Sequence, residues 1–137
     1  MLANISCAQS SGSTALSHML DRHSEIVCGA EMFVFCHPLL YADFARFRRH
    51  ARLIRAIGLS GLPRSANRAM FRHLPEHSLA ASRVWKWARQ ANDFVEFTEN
   101  IHTHLMQLTG KRVWVEKTPW NIFGVDGFLQ TFPKGKV

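Results

Sequence analysis

The chain of 137 residues reads as an α/β domain, a parallel sheet flanked by helices. Three observations predict it. Short apolar runs, Leu2 to Ala8, Glu25 to Cys28 and Val113 to Val115, are separated by stretches of helical apolar spacing, and strands alternating with helices specify a parallel sheet. A loop of small residues, Gln9-Ser10-Ser11-Gly12-Ser13-Thr14, joins the first strand to the first helix. The composition, 47% apolar and 20% charged, is that of a globular protein, and the length suits one domain with a core.

The elements follow in order. After the loop, Ala15, Leu16, Met19 and Leu20 recur at helical spacing, which predicts a helix from near Ser13 to near His23. Gly29 closes the second strand. Pro38 opens the next helix, because its missing N–H is not needed in a first turn. Phe44, Phe47, Ala51, Ile54 and Ile57 fall on one side of it and Arg48, Arg49, Arg52 and Arg55 on the other. Gly58, Gly61 and Pro63 break that pattern, and residues 64 to 90 read as two short helices separated near Pro75. Phe94, Phe97, Ile101, Leu105 and Leu108 predict an amphipathic helix ending at Gly110. Lys111-Arg112 lead into the third strand. Thr118-Pro119 has the form of an N-cap followed by proline. Ile122, Val125, Leu129 and Phe132 continue that helix to Pro133, with Gly124 and Gly127 as weak points within it. Lys136-Val137 read as the start of a further strand.

The net charge of +7 is concentrated. Between Phe44 and Pro75 stand eight arginines (46, 48, 49, 52, 55, 64, 68 and 72) and no acidic residue. Such a block is either a solvated face or a surface for an anionic partner such as nucleic acid, acidic glycan or lipid headgroup. Three cysteines, Cys7, Cys28 and Cys36, form no paired spacing, which argues against a disulfide scaffold and for a reducing compartment, the cytoplasm by default. Cys7 reads as a small core residue. No apolar run is long enough to span a membrane, and the N-terminus lacks the layout of a secretory signal. Neither Cys-x-x-Cys nor His-Glu-x-x-His occurs, and His102 and His104, two apart on a helix, do not share a face, so no metal site is expected. Trp85-Lys86-Trp87 could stack on bases or sugar rings, or place one indole in the core.

The loop at Gln9 to Thr14 admits two readings. Backbone N–H groups at a helix start, aided by the helix dipole, bind anions, and Gly12 permits backbone conformations and close approaches closed to other residues. The same tract also reads as a polar turn with a helix cap. It is not a Walker A motif, since no Gly-Lys-Ser/Thr is present.

At this point the chain resembles a family. Ser11-Gly12-Ser13-Thr14-Ala15-Leu16, followed by Met19-Leu20-Asp21-Arg22-His23-Ser24-Glu25-Ile26, is similar to the 5′-phosphosulfate loop and first helix of sulfotransferases, in the style of bacterial sulfotransferase-like proteins and tyrosylprotein sulfotransferases. Cys28-Gly29-Ala30-Glu31 resembles the family's Gly-x-Glu segment. Glu116-Lys117-Thr118-Pro119-Trp120-Asn121 and Phe132-Pro133-Lys134-Gly135-Lys136 resemble its Glu-Lys-Thr-Pro-x-Asn and Phe-Pro-x-Ala-Lys stretches. Two departures stand out. Ser10 replaces the basic residue usual before Ser-Gly, and Ser24 replaces the proline usual after the histidine.

The resemblance implies a P-loop nucleotide-hydrolase-like sheet and the co-substrate 3′-phosphoadenylyl sulfate, bound at Gln9, Ser10, Ser11, Gly12, Ser13 and Thr14. It implies transfer of a sulfuryl group to a hydroxyl or amine of a small-molecule, glycan or protein acceptor, without metal. Glu31 is the implied base and Lys117 the implied stabiliser of charge on the bridging oxygen. Glu116 would orient Lys117 or pair with it, and Asn121 would support either. The residues that hold the 3′-phosphate in the family would follow Val137. Residues 1–137 are therefore expected to be the N-terminal part of a single sulfotransferase domain, incomplete at the C-terminus and weakly active or inactive alone. The alternative is a basic module binding nucleic acid or another polyanion through residues 44–75; under the sulfotransferase reading no nucleic-acid partner is expected.

Overall fold

The computed structural model describes residues 1–28, 31–49 and 81–137. In order they form β1 (Leu2–Ile5), α1 (Ser13–Asp21), β2 (Ile26–Cys28), α2 (Pro38–Ala42), α3 (Phe44–Arg49), α4 (Ala81–Gln90), α5 (Phe94–Thr109), β3 (Val113–Lys117), a 3-10 helix (Pro119–Gly124) and α6 (Val125–Thr131). The expectations for Ala51 to Ile57 and for the break near Pro75 lie outside the described residues.

The strands make a parallel sheet in the order β1-β3-β2. Ile5 sits opposite Lys117, and Cys28 opposite Val115, so all three carboxyl ends, where open α/β sheets hold ligands, share one edge. The segment at Lys136 bridges Ala3 in parallel, with the Asn4 N–H donating to the Lys136 carbonyl at 2.8 Å. Where a further strand was expected, the structure has this single bridge.

Alternation along β3 separates two environments. Trp114 lies in the main core with Phe35, Phe94, Phe97, Ile101, Leu105 and Phe128. Phe35 is completely buried and meets the rings of Phe94, Trp114, Phe128 and Phe132 at centroid distances of 4.9 to 6.1 Å. The other face carries Lys117 and is covered by α1. That helix buries Ser13 and Ser17 and leaves Leu16 and Met19 exposed, at 44% and 71%. Its apolar spacing identified the helix but not the side it turns to the sheet.

Local signals set several boundaries. The Asp93 carboxylate accepts from the Glu96 N–H at 2.8 Å, starting α5, and Gly110, at φ 69°, ends it by donating to the Met106 carbonyl. The helical run expected from Pro38 onward is interrupted at Asp43, whose carboxylate accepts from the Arg46 N–H at 2.8 Å and restarts it as α3. The helix expected after Thr118 is likewise divided at Gly124. A Cβ there would fall 1.8 Å from the Phe35 carbonyl oxygen, so this close backbone crossing admits glycine alone.

Candidate active site

The loop after β1 turns through Ser10 at φ 62° and Gly12 at φ 85° before entering α1. No side chain caps this helix, and its first internal bond runs from the Leu16 N–H to the Gly12 carbonyl at 3.1 Å. The N–H groups of Ser13, Thr14 and Ala15 thus have no acceptor within the helix, and they sit at its positive end. A side chain at position 12 would meet no neighbour but would be strained by the left-handed backbone.

A cleft of about 700 Å³ opens over this turn. Gln9, Ser10, Gly12, Ser13 and Thr14 line it, together with Glu31, Phe33, Pro119 and Trp120. Of the loop residues expected to contact an anion, Ser11 is exposed and does not line it. Hydroxyls, free N–H groups and an approachable glycine suit an anion.

β3 delivers Lys117 to the same place. Its side chain is 1% exposed, and a buried ammonium requires partners. It ion-pairs with Glu31, which is 22% exposed, and donates to the Thr14 hydroxyl oxygen at 3.4 Å. The structure therefore brings Glu31, Lys117 and Thr14 into one cluster, in which Glu31 and Thr14 line the cleft and Lys117 lies buried behind them, although 103 positions separate Thr14 from Lys117.

Glu116 does neither thing expected of it. Strand alternation turns it away from Lys117, onto the Trp114 face. There it is completely buried, accepting from the Met32 N–H at 2.8 Å, from the Thr118 hydroxyl at 2.6 Å and from the Asn121 amide. Burial raises its pKa above the ordinary carboxylate range, opposed by those three donors. Asn121 also donates to the Asn4 side chain at 2.7 Å. It supports Glu116 and bonds neither Lys117 nor Glu31. Thr118 occupies the N-cap position of the 3-10 helix, yet its hydroxyl is committed to Glu116 and to the Phe33 N–H.

Phe33, Pro119 and Trp120 line the cleft without having been singled out from the sequence as site residues. Phe33 has φ 58°, a left-handed conformation costing an aromatic residue of order 1–3 kcal/mol. Its ring meets Trp120 edge-on at 6.4 Å. Among the described residues, Ser10 and Phe33 are the non-glycine positions with positive φ, and both face this cleft. Nearness in sequence to Glu31 and Lys117 was the one signal for Phe33, Pro119 and Trp120, since none of the three belongs to a periodic pattern.

Other expected features fall elsewhere. Arg48 donates to the Ala91 carbonyl at 3.0 Å and lies over the Phe44 ring, bracing α3 against the end of α4. Arg46 and Arg49 are exposed, and the other five arginines of the block lie outside the described residues. Trp87 packs beside the core and against His104. Among the described residues no group of His, Cys, Asp and Glu is arranged to hold a metal ion, and no helix is long and apolar enough to cross a membrane.

Loop, carboxylate and ammonium thus come together at the carboxyl edge of a parallel sheet, where open α/β sheets hold ligands. Residues 4–137 match the family model described as the sulfotransferase family, and the chain belongs to that family. No curated protein and no solved structure matches it.

Proposed function

We propose that the protein transfers a sulfuryl group from 3′-phosphoadenylyl sulfate to an acceptor hydroxyl or amine, using a P-loop-like anion site. The observation that carries this reading is the cluster of Lys117, Glu31 and Thr14 beneath the anion-binding turn.

The turn around Gly12 and the first N–H groups of α1 hold the 5′-phosphosulfate end. Ser13 and Thr14 add hydroxyl donors. Glu31 takes the proton of the acceptor as its oxygen or nitrogen attacks sulfur. The bond from sulfur to the bridging oxygen of the 5′-phosphate breaks, giving a sulfated acceptor and 3′-phosphoadenosine 5′-phosphate. Lys117 has three N–H bonds, two directed at Glu31 and Thr14, which leaves a third for the departing phosphate oxygen. The ion pair couples the two events. When Glu31 becomes neutral, Lys117 loses its counter-charge just as negative charge grows on the leaving group. The aromatic pair Phe33 and Trp120 borders the approach to Glu31 and offers apolar surface to the acceptor. A reducing, cytoplasmic setting accords with three free thiols, of which burial pushes Cys28 up to about 12 and Cys36 to about 11.

Calorimetric titration with 3′-phosphoadenosine 5′-phosphate tests the reading. Binding should weaken at least about tenfold on replacing Ser13 and Thr14 by Val, through lost charge-assisted hydrogen bonds. A wild-type chain that ignores this nucleotide but binds duplex DNA with a steep salt dependence would transfer the assignment to the arginine-rich block.

A further inference from the structure

Glu31 stands on a segment between β2 and α2, and no regular element fixes it. What fixes it comes from the residues on either side of Lys117. The Met32 N–H donates to a Glu116 carboxylate oxygen at 2.8 Å, and the Phe33 N–H donates to the Thr118 hydroxyl oxygen at 3.2 Å. The Thr118 hydroxyl donates in turn to that same Glu116 oxygen at 2.6 Å. Two successive N–H groups after Glu31 are thus fastened to the two neighbours of Lys117, while Lys117 itself holds the Glu31 carboxylate. Glu116 is anchored from behind by Asn121, which reaches Asn4 on β1, the register partner of Glu116.

We infer that Thr118 and Glu116 are positioning residues that clasp the turn at Met32 and Phe33 and thereby set the distance and angle between Glu31 and Lys117. The left-handed backbone of Phe33 fits this role, because a sparsely populated conformation persists only where its surroundings over-determine it. The Thr118 hydroxyl is the hinge of the clasp, donor to one partner and acceptor from the other. This inference rests on the sulfotransferase reading for its catalytic consequence, and on hydrogen bonding alone for the clasp.

The test compares Thr118→Val, nearly isosteric but without the hydroxyl, with Thr118→Ser, which restores it. Breakdown of labelled 3′-phosphoadenylyl sulfate is followed with water, a simple phenol and a simple sugar as acceptors. Thr118→Val should lower kcat about tenfold to a hundredfold, as expected for a misplaced base, with the KM for the nucleotide changed less than about threefold. Thr118→Ser should recover most of the loss. Hydrogen exchange at the Phe33 amide should quicken at least about tenfold in Thr118→Val and stay near wild type in Thr118→Ser. Wild-type kcat in Thr118→Val overturns the inference. So does a joint fall of kcat, nucleotide affinity and melting temperature that Ser does not rescue. Thr118→Ala, which admits a water molecule, carries the same predictions should the valine variant not fold. If the wild-type chain neither binds 3′-phosphoadenosine 5′-phosphate nor breaks down the donor, as is expected of an incomplete domain, the sulfuryl-transfer reading loses its support without touching the clasp. The exchange of Met32 and Phe33 then decides the clasp: faster in Thr118→Val supports it, unchanged overturns it.

Discussion

The two faces of β3 do different work within one five-residue strand. The Trp114 side looks into a core of aromatic rings and ends in a fully bonded carboxylate, Glu116. The Lys117 side looks at a helix that buries serines rather than leucines and ends in a buried ammonium held by the cleft-lining Glu31 and Thr14. Packing on the first face supplies stability. On the second, small residues let α1 and its uncapped N–H groups lie close to the strand end, where an anion is useful and a large side chain would intrude. One strand thus joins an aromatic core to a polar cleft, and substitutions on the two faces should separate stability from chemistry.

The largest effect tests the packed face. Phe35→Ala removes a ring with four aromatic neighbours and should cost about 3–5 kcal/mol in urea denaturation; a cost under about 1 kcal/mol would mean that the aromatic cluster is not the stabilising core. Lys117→Met keeps most of the buried stem and deletes the charge. Sulfuryl transfer should fall about a hundredfold to a thousandfold, as for loss of one preorganised charge-stabilising donor, with melting little altered because Glu31 can hydrate in the cleft. Equal damage to stability and turnover would merge the two faces into one. Gly12→Ala meets no steric contact but forces alanine to φ 85°. It should destabilise by about 1–2 kcal/mol and weaken binding of 3′-phosphoadenosine 5′-phosphate more than it lowers the melting point.

The smallest effect concerns pH. Burial raises the pKa of Glu116 in the folded protein. A carboxyl whose folded pKa lies above its unfolded value contributes stability below the unfolded pKa, and that contribution fades as pH rises through the folded value. Glu116→Gln removes this titration. Its stability relative to wild type should therefore improve steadily from about pH 4, near the unfolded carboxyl value, toward neutrality. The network can accept the amide: Asn121 Oδ1 and Asn4 Nδ2 are buried without partners among the described residues, and turning both amides would let the new Gln donate to Asn121 and Asn4 donate to it as well. A relative stability independent of pH would show that Glu116 titrates alike in both states.

Much of the architecture was legible in advance, for local reasons. The Gly110 stop of α5, the opening of α2 by Pro38 and the apolar third strand are short-range signals, and each appears where residue chemistry places it. The loop at Gln9 to Thr14 was readable because strand, small residues and helix follow one another directly. Less was legible where distant segments meet. The need for glycine at 124 is set by the Phe35 carbonyl, and the exposure of Leu16 and Met19 by which side of α1 meets the sheet. The adjacency of Glu116 and Lys117 suggested a pair, yet strand alternation sends neighbours to opposite faces, and the true partner of Lys117 is Glu31.

By itself the sequence determined the kind of fold, the strand–loop–helix unit and the motifs that mark a sulfotransferase, because periodicity, caps and glycine turns act over a few residues. Only the tertiary structure decided that Lys117 meets Thr14 and Glu31, that Glu116 and Thr118 fasten the turn after Glu31, and that Phe33 and Trp120 border the cleft. Those contacts bring together residues from the two ends of the described chain. Their geometry follows from parallel register and core packing, which no local pattern encodes.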